Sequence, residues 1–389
     1  MSNVATQRLS HAGLIRRPDT PDSVDRKLDA IIVPSARPAS SLIHAAWLAE
    51  ELNVPLMVLS SRKSLAVDVV RKIEDNTIVV DVVAVDVRAP VRGMPALETD
   101  TMFKGTPFHR PTDVSVKRNL GLLLARSIGW QRVMFLDDDI AVPTAQDLHR
   151  AAAELSGRHA AVGLRIGGMP DNSVVCHARR ELGEDQGTFL GGGALAVPTD
   201  INDEAFFPNI YNEDWFFLLD KTHLRPVTEV GEAKQLPYDP FVNPARAREE
   251  ELGDTLAEGV FGALSDSGSI EDVLNEGYWR DFLEARRRLI TTLLGKAGSN
   301  PPMVEALKAA RGRSYLIEPR ACVRFLRAWQ RDQLVWGEAV GNLRTGRGIA
   351  GALRHFLLDR SATIRLNRTG RAPKEPHLHQ QRMRLERVG

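Results

Sequence analysis

An α/β fold with a central, mostly parallel sheet, followed by a helical C-terminal region, is what the sequence predicts. Three observations carry this. Between residues 29 and 87, short apolar runs alternate with amphipathic stretches in the order strand, helix, strand, helix, strand, which is the pattern of parallel pairing. A later apolar run ends in three consecutive aspartates at 137–139. Beyond about residue 245 the strand signals stop and helical spacing takes over. The expected organisation is a flexible leader over 1–27, an α/β domain over 28–245, a helical region over 246–360 and a basic, disordered tail over 361–389.

Each element has its own justification. DAIIVPS at 29–35 is a short buried strand that Pro34 leads into a loop, and Ser40 or Ser41 can cap the helical segment LIHAAWLAEEL. PLMVLS at 55–60 is a second strand, SLAVDVVRKI at 64–73 a helix despite its valines, and TIVVDVVAVDV at 77–87 a third strand. Pro90, Gly93, Pro95, Gly105, Pro107 and Pro111 mark 88–112 as a long loop, of a length usually tied to function. SVKRNLGLLLARSIGW at 115–130 is a helix with Asp113 or Ser115 as its start signal, and RVMFL at 132–136 is the fourth strand. AQDLHRAAAEL then reads as a helix, AAVGLRI as a strand, His177 as a strand histidine, and TFLGGGALAVP as a glycine-rich turn entering a strand. NEDWFFLLD opens a helix whose first turn holds Glu213 and Asp214, where the helix dipole favours acids. The later helical segments carry Trp279, Trp329 and Trp336, which are expected to pack a helical subdomain.

Composition narrows the class. Hydrophobic residues make up 43% and charged residues 26%, an ordinary soluble balance, and the net charge of +1 points to no nucleic-acid partner. Two cysteines, Cys176 and Cys322, cannot build a disulfide framework or a four-thiolate zinc site. The N-terminus lacks an apolar signal region and no run approaches the ~18 apolar residues of a membrane span. A cytoplasmic protein is expected. Contact with the inner membrane face would come through the C-terminal region, where GIAGALRHFLL lies among Arg344, Arg347 and Arg360.

The chemistry is expected at the aspartate run. Ligands of open α/β sheets sit beyond the carboxyl ends of strands. Three carboxylates there repel one another unless a cation or hydrogen-bond donors offset them. Divalent Mg²⁺ or Mn²⁺ takes oxygen ligands and is commonly shared with substrate phosphates. In an extended arrangement Asp137 and Asp139 share one side and converge on a metal, while Asp138 faces elsewhere.

Five segments, IIVPSARP, VKRNLGL, LDDDI, GGGALAV and YNEDWFF, occur in this order over roughly residues 29–240. Together they resemble the GT-A glycosyltransferases, family 2 in particular. The resemblance implies a GT-A-type nucleotide-binding domain, a UDP- or GDP-sugar donor, and Mn²⁺ or Mg²⁺ as cofactor. It implies that Pro34, Ser35 and Arg37 meet the nucleotide, and that Lys117, Arg118 and Asn119 lie beside it. Asp137 and Asp138 would contact the nucleotide-sugar, with Asp137 and Asp139 as metal ligands. Gly192 and Gly193 would lie beneath the donor sugar and acceptor. Glu213 and Asp214 would form the catalytic acid pair, Asp214 being the general base of an inverting transfer. The acid that the family often carries after the second strand is absent at Ser60-Ser61-Arg62, so the nucleotide is left open. The downstream metal ligand is open as well, with His223 and the turn Pro237–Pro240 as candidates. The acceptor is not specified. The alternatives are a retaining transferase, a nucleotidyltransferase or DxD phosphatase, and a non-catalytic nucleotide-sugar-binding protein.

Overall fold

The computed structural model describes residues 7–18, 27–155, 159–169, 172–187, 189–200 and 204–366. Its chain order is β1 (Ala30–Ser35), α1 (Ile43–Leu52), β2 (Leu56–Ser60), α2 (Ala66–Asp75), β3 (Val82–Asp86), α3 (Val114–Ile128) and β4 (Arg132–Leu136). There follow β5 (Ile140–Ala141), α4 (Gln146–Glu154), β6 (Ala161–Gly168), α5 (Val174–Glu181), β7 (Ala194–Pro198), α6 (Glu213–Phe217) and β8 (Val227–Gln235). The C-terminal part comprises α7 (Pro244–Ser265), α8 (Glu276–Lys296), α9 (Pro301–Ser314), α10 (Pro319–Asn342), α11 (Gly348–His355) and β9 (Ala362–Arg365).

The strands form one sheet in the order β5-β8-β6-β7-β4-β1-β2-β3-β9. The four strands β3, β2, β1 and β4 pair in parallel, and β6 pairs in parallel with β8. Strands β5, β7 and β9 run the other way, so the sheet is mixed but mostly parallel. The fold class is the one the strand-helix alternation predicts.

Period-two alternation places successive residues on opposite faces. Ile32, Met57, Leu59, Val83, Val133 and Phe135 pack with α3 and the C-terminal helices on one side. Ile31, Val33, Val58, Val82, Met134 and Leu136 pack with α1, α2 and α4 on the other. Trp279, Trp329 and Trp336 belong to the first of these cores. Helices α7, α8, α10 and α11 therefore share the sheet's core, while α9 packs with α5, α7 and α8 in a separate cluster.

Several expectations are corrected. His177 lies on α5, not on a strand. The segment expected at a membrane surface is α11, and its apolar residues Ala352 and Leu353, with Phe356 just after it, are buried in the core that α3 shares. Among the described residues, no helix is long and apolar enough to cross a membrane. Residues 7–18 of the expected loose leader are packed: His11 is buried against Glu258 and Ser265, and Arg16 pairs with Thr228. The expected tail begins with β9, which pairs with β3; the remainder, 367–389, lies outside the described residues, as do 1–6 and 19–26 of the leader.

Candidate active site

The strand order reverses direction between β1 and β4: β2 and β3 follow β1 on one side, and β4 returns to the other. Open α/β sheets bind ligands in the crevice beyond the carboxyl ends of strands at such a point. Ser35 ends β1 there and Asp137 follows β4. Because β7 runs antiparallel to β4, its entrance, Gly191–Gly193, arrives at the same edge, and the Asp137 amide donates to the Gly193 carbonyl at 2.8 Å. That is how two segments far apart in sequence come together.

Residues 137–140 form a turn, closed by the Ile140 amide on the Asp137 carbonyl at 3.1 Å. The alternation rule of a strand does not hold in a turn, so the three aspartates divide differently from expectation. Asp137 faces Arg118, whose Nη2 lies 2.9 Å from both carboxylate oxygens. The Asp138 side chain is largely covered, accepts from Ser35 Oγ at 2.6 Å and pairs with Arg37. Asp139 pairs with Arg37 Nη2 at 2.8 Å and accepts from Gln235 Nε2 at 2.8 Å. Arg37, half exposed, thus neutralises both Asp138 and Asp139. Burial pushes the Asp137 carboxyl up to about 6, with Arg118 pulling the other way.

The side chains of the VKRNLGL helix element are engaged within the protein. Lys117 is buried and its Nζ ties Ser35 O, Ser61 Oγ and Asp113 Oδ1 together at 2.7, 2.7 and 3.0 Å. Burial lowers its pKa, with Asp113 opposing. Asn119 is turned to the Phe207 backbone, donating to its carbonyl at 2.9 Å and accepting from its amide at 2.8 Å. These two side chains brace the strand ends. Pro34 is likewise interior, paired in register with Leu59 within the sheet.

Arg118 is the residue on which the site turns. Its Nη1 holds Glu213 Oε1 at 2.8 Å while its Nη2 holds Asp137, so one buried guanidinium joins the end of β4 to the start of α6. Burial opposes its charge, but Asp137, Glu213 and Asp214 outweigh it and raise its pKa. Glu213 also takes Arg110 Nη1 at 2.9 Å, delivered by the long loop after β3. That loop is itself pinned, since Asp332 of α10 accepts the Glu98 and Thr99 amides at 2.8 Å each. Asp214 accepts the amides of Gly192 at 2.5 Å and Trp215 at 2.9 Å. Its carboxyl is nevertheless raised, first by burial and then by Glu213, against Arg118 and the two amides.

These residues enclose a cavity of about 210 Å³ lined by Arg118, Asp137, Gly191, Gly193, Glu213 and Asp214. Sequence reasoning missed a further part of its wall: Arg110, Asn172, Ser173, Cys176, Asp254 and Glu258. Arg37, Asp138 and Asp139 lie at the adjoining strand edge, outside that lining. His223 donates its backbone amide to Asp220 in a loop; the turn Pro237–Pro240 follows Leu236, whose amide donates to the Asp139 carbonyl at 3.0 Å, and its Tyr238 meets His177 and Arg246.

The closeness of backbone and guanidinium gives a first expected result. A Cβ on Gly192 would lie 2.6 Å from Arg118 Nη1 and 2.8 Å from its Cζ. Arg118 is held by Asp137 and Glu213 and cannot swing aside freely. Gly192→Ala should cost about 1–3 kcal/mol as an overpacking change. Urea unfolding checks this, and an unchanged midpoint would mean Arg118 has room that the structure does not show.

No protein-family model matches the chain, and no curated protein matches it in sequence. Among solved structures it is similar to S. aureus TarS 1-349 in complex with UDP-GlcNAc, at 12% identity and a TM-score of 0.35, over 74% of this chain and 90% of that one. A likeness so distant speaks to neither activity nor ligand, and the functional reading rests on the site's own geometry.

Proposed function

We propose that the chain is a metal-dependent glycosyltransferase of GT-A type, moving a sugar from a nucleoside-diphosphate donor to an acceptor hydroxyl with inversion. The observation that carries this is the Arg118 bridge. It joins Asp137, the first of the aspartate run, to Glu213, the neighbour of Asp214, in the wall of one cavity.

A divalent ion fits the donor set. Asp139 and Asp137 are hard oxygen donors with side chains 23% and 29% exposed, and Arg37 already marks the place beside Asp139 where positive charge is required. Mg²⁺ and Mn²⁺ are usually held by one or two carboxylates, the rest of the shell coming from phosphates and water. Asp139 would hold the ion, and Asp137 would join it by giving up its pair with Arg118; when bound, the ion supplies Lewis-acid neutralisation of the departing diphosphate.

The chain's own groups do the rest. Arg37, on an exposed stem, can exchange its two carboxylates for phosphate oxygens, with which a guanidinium forms forked hydrogen bonds. Asp214, fixed by two amides, takes the proton of the acceptor hydroxyl as that oxygen attacks the anomeric carbon. Its raised pKa makes it a stronger base than a solvated carboxylate. Trp215, packed on Phe189 and Phe261, closes an apolar wall beside it and limits water.

Thermal shifts with UDP and GDP, each with and without Mn²⁺, test the reading. One nucleotide should raise the melting temperature only with metal, a ligand at ~100 times its Kd stabilising by about 2.7 kcal/mol. Asp139→Ala should abolish that shift. A chain indifferent to both nucleotides is not this enzyme.

A further inference from the structure

We propose that the acceptor is a small polyhydroxylated molecule carrying a protonated amine, seated on an acidic floor that α7 supplies to the cavity; this rests on the transferase reading above. Helix α7 buries Glu250, Glu251, Asp254 and Glu258 along with its apolar residues. Two of these, Asp254 and Glu258, line the cavity together with Asp214.

Charge is the first argument. The cavity wall presents five carboxylates, those of Asp137, Glu213, Asp214, Asp254 and Glu258, against the two guanidinium groups of Arg110 and Arg118. Directly behind, Arg286 pairs with Asp254 at 2.8 Å but also with Glu251 at 2.7 Å, so it adds no net positive charge. His11, 3.0 Å from Glu258, offsets one acid at most. The surplus stays negative and disfavours a phosphate or carboxylate on the acceptor. It favours an ammonium and hydroxyl donors.

An independent observation points to a ligand in the cavity. Asn172 is 8% exposed and lines the cavity, yet its Nδ2 has no hydrogen-bond partner among the described residues. A buried amide left unpaired is costly, and it calls for an oxygen that the described residues do not provide. A hydroxyl-rich ligand offers that oxygen to Asn172 and its own donors to the acids. The cavity volume of about 210 Å³ lies below the range of pockets for drug-sized ligands, and suits a single ring.

A metal is the rival occupant, because Cys176, Asp254 and Glu258 bring ligand-type atoms within 4.8 Å of one another. Their partners argue against it. Asp254 is committed to Arg286 and to Ser173 Oγ at 2.6 Å, and Gln7 Nε2 lies 3.3 Å from the Cys176 sulfur. Burial holds the Cys176 thiol well above its usual range, away from the thiolate a metal needs.

Glucosamine, glucose and glucuronate differ in the groups at issue. Each is titrated into the full chain in neutral buffer and followed by thermal shift, with and without UDP and Mn²⁺. Glucosamine should half-saturate at a concentration about tenfold below that of glucose, and glucuronate should not stabilise. Glu258→Gln should remove the glucosamine advantage, bringing its midpoint to that of glucose in the same variant, and Asn172→Ala should weaken both alike. Equal midpoints for glucosamine and glucose, preference for glucuronate, or no response to glucosamine at any concentration overturns the proposal. Failure of the transferase reading shows separately, as no response to UDP or GDP.

Discussion

Asp214→Asn should leave nucleotide binding intact and lower the rate of sugar transfer by about 10²- to 10⁴-fold, the usual worth of a positioned general base. The carboxamide is close in size but cannot take the acceptor's proton. It also meets the Gly192 and Trp215 amides with one oxygen where the carboxylate offers two. Stability should move little or rise. The Asp214 carboxyl is raised in the folded chain, so its ionised form is a net cost that grows as pH climbs through that raised value. Removing the charge removes this cost, a trade common where a site is built for reaction and not for stability.

The same sign governs the pH profile. A base must be ionised to act, so kcat/KM of the native chain should fall as pH drops through the Asp214 pKa, and this acid limb should lie above the range of ordinary carboxylates. In Asp214→Asn the residual rate should lose that limb. Turnover near the native rate would remove Asp214 from the role of base and leave it a ligand of two backbone amides.

How much of this was legible in the sequence depends on which signal each residue sends. The aspartate run announced itself because a buried strand led into it, and Glu213-Asp214 because acids open a helix. The glycines before β7 were visible as a turn, and antiparallel pairing with β4 explains why they reach the site. Asp254 and Glu258 were not legible. In ARAREEELGDTLAEGV the acids look like the solvated face of a surface helix, yet α7 is buried nearly all round and its acids meet Arg286, Arg246, His11 and Ser173. Their partners come from residues as distant as 11 and 286, and no local pattern signals such pairing. Arg118 was visible as a cation near three acids, but its carboxylate partners, Asp137 and Glu213, were not, because Glu213 is brought to it by the fold.

That commitment makes Arg118→Met the most damaging single change expected at the site. Breaking a buried ion pair from one side costs about 3–5 kcal/mol, because the remaining charge is left without compensation. The two carboxylates do not suffer equally. Glu213 keeps Arg110, whereas both oxygens of Asp137 lose their guanidinium. The deficit should therefore depend on pH through Asp137. In the native chain its carboxyl stands at about 6 despite Arg118. Without the cation it rises further, and a raised carboxyl costs stability above its folded pKa and regains it below. Urea midpoints should show the variant much weaker than the native chain in mildly alkaline buffer and closer to it in mildly acidic buffer. Adding Asp137→Asn should recover part of the loss, a coupling that a double-mutant cycle measures directly. A deficit of the same size at every pH would show that Arg118 serves as packing volume, and the link between β4 and α6 would not be electrostatic.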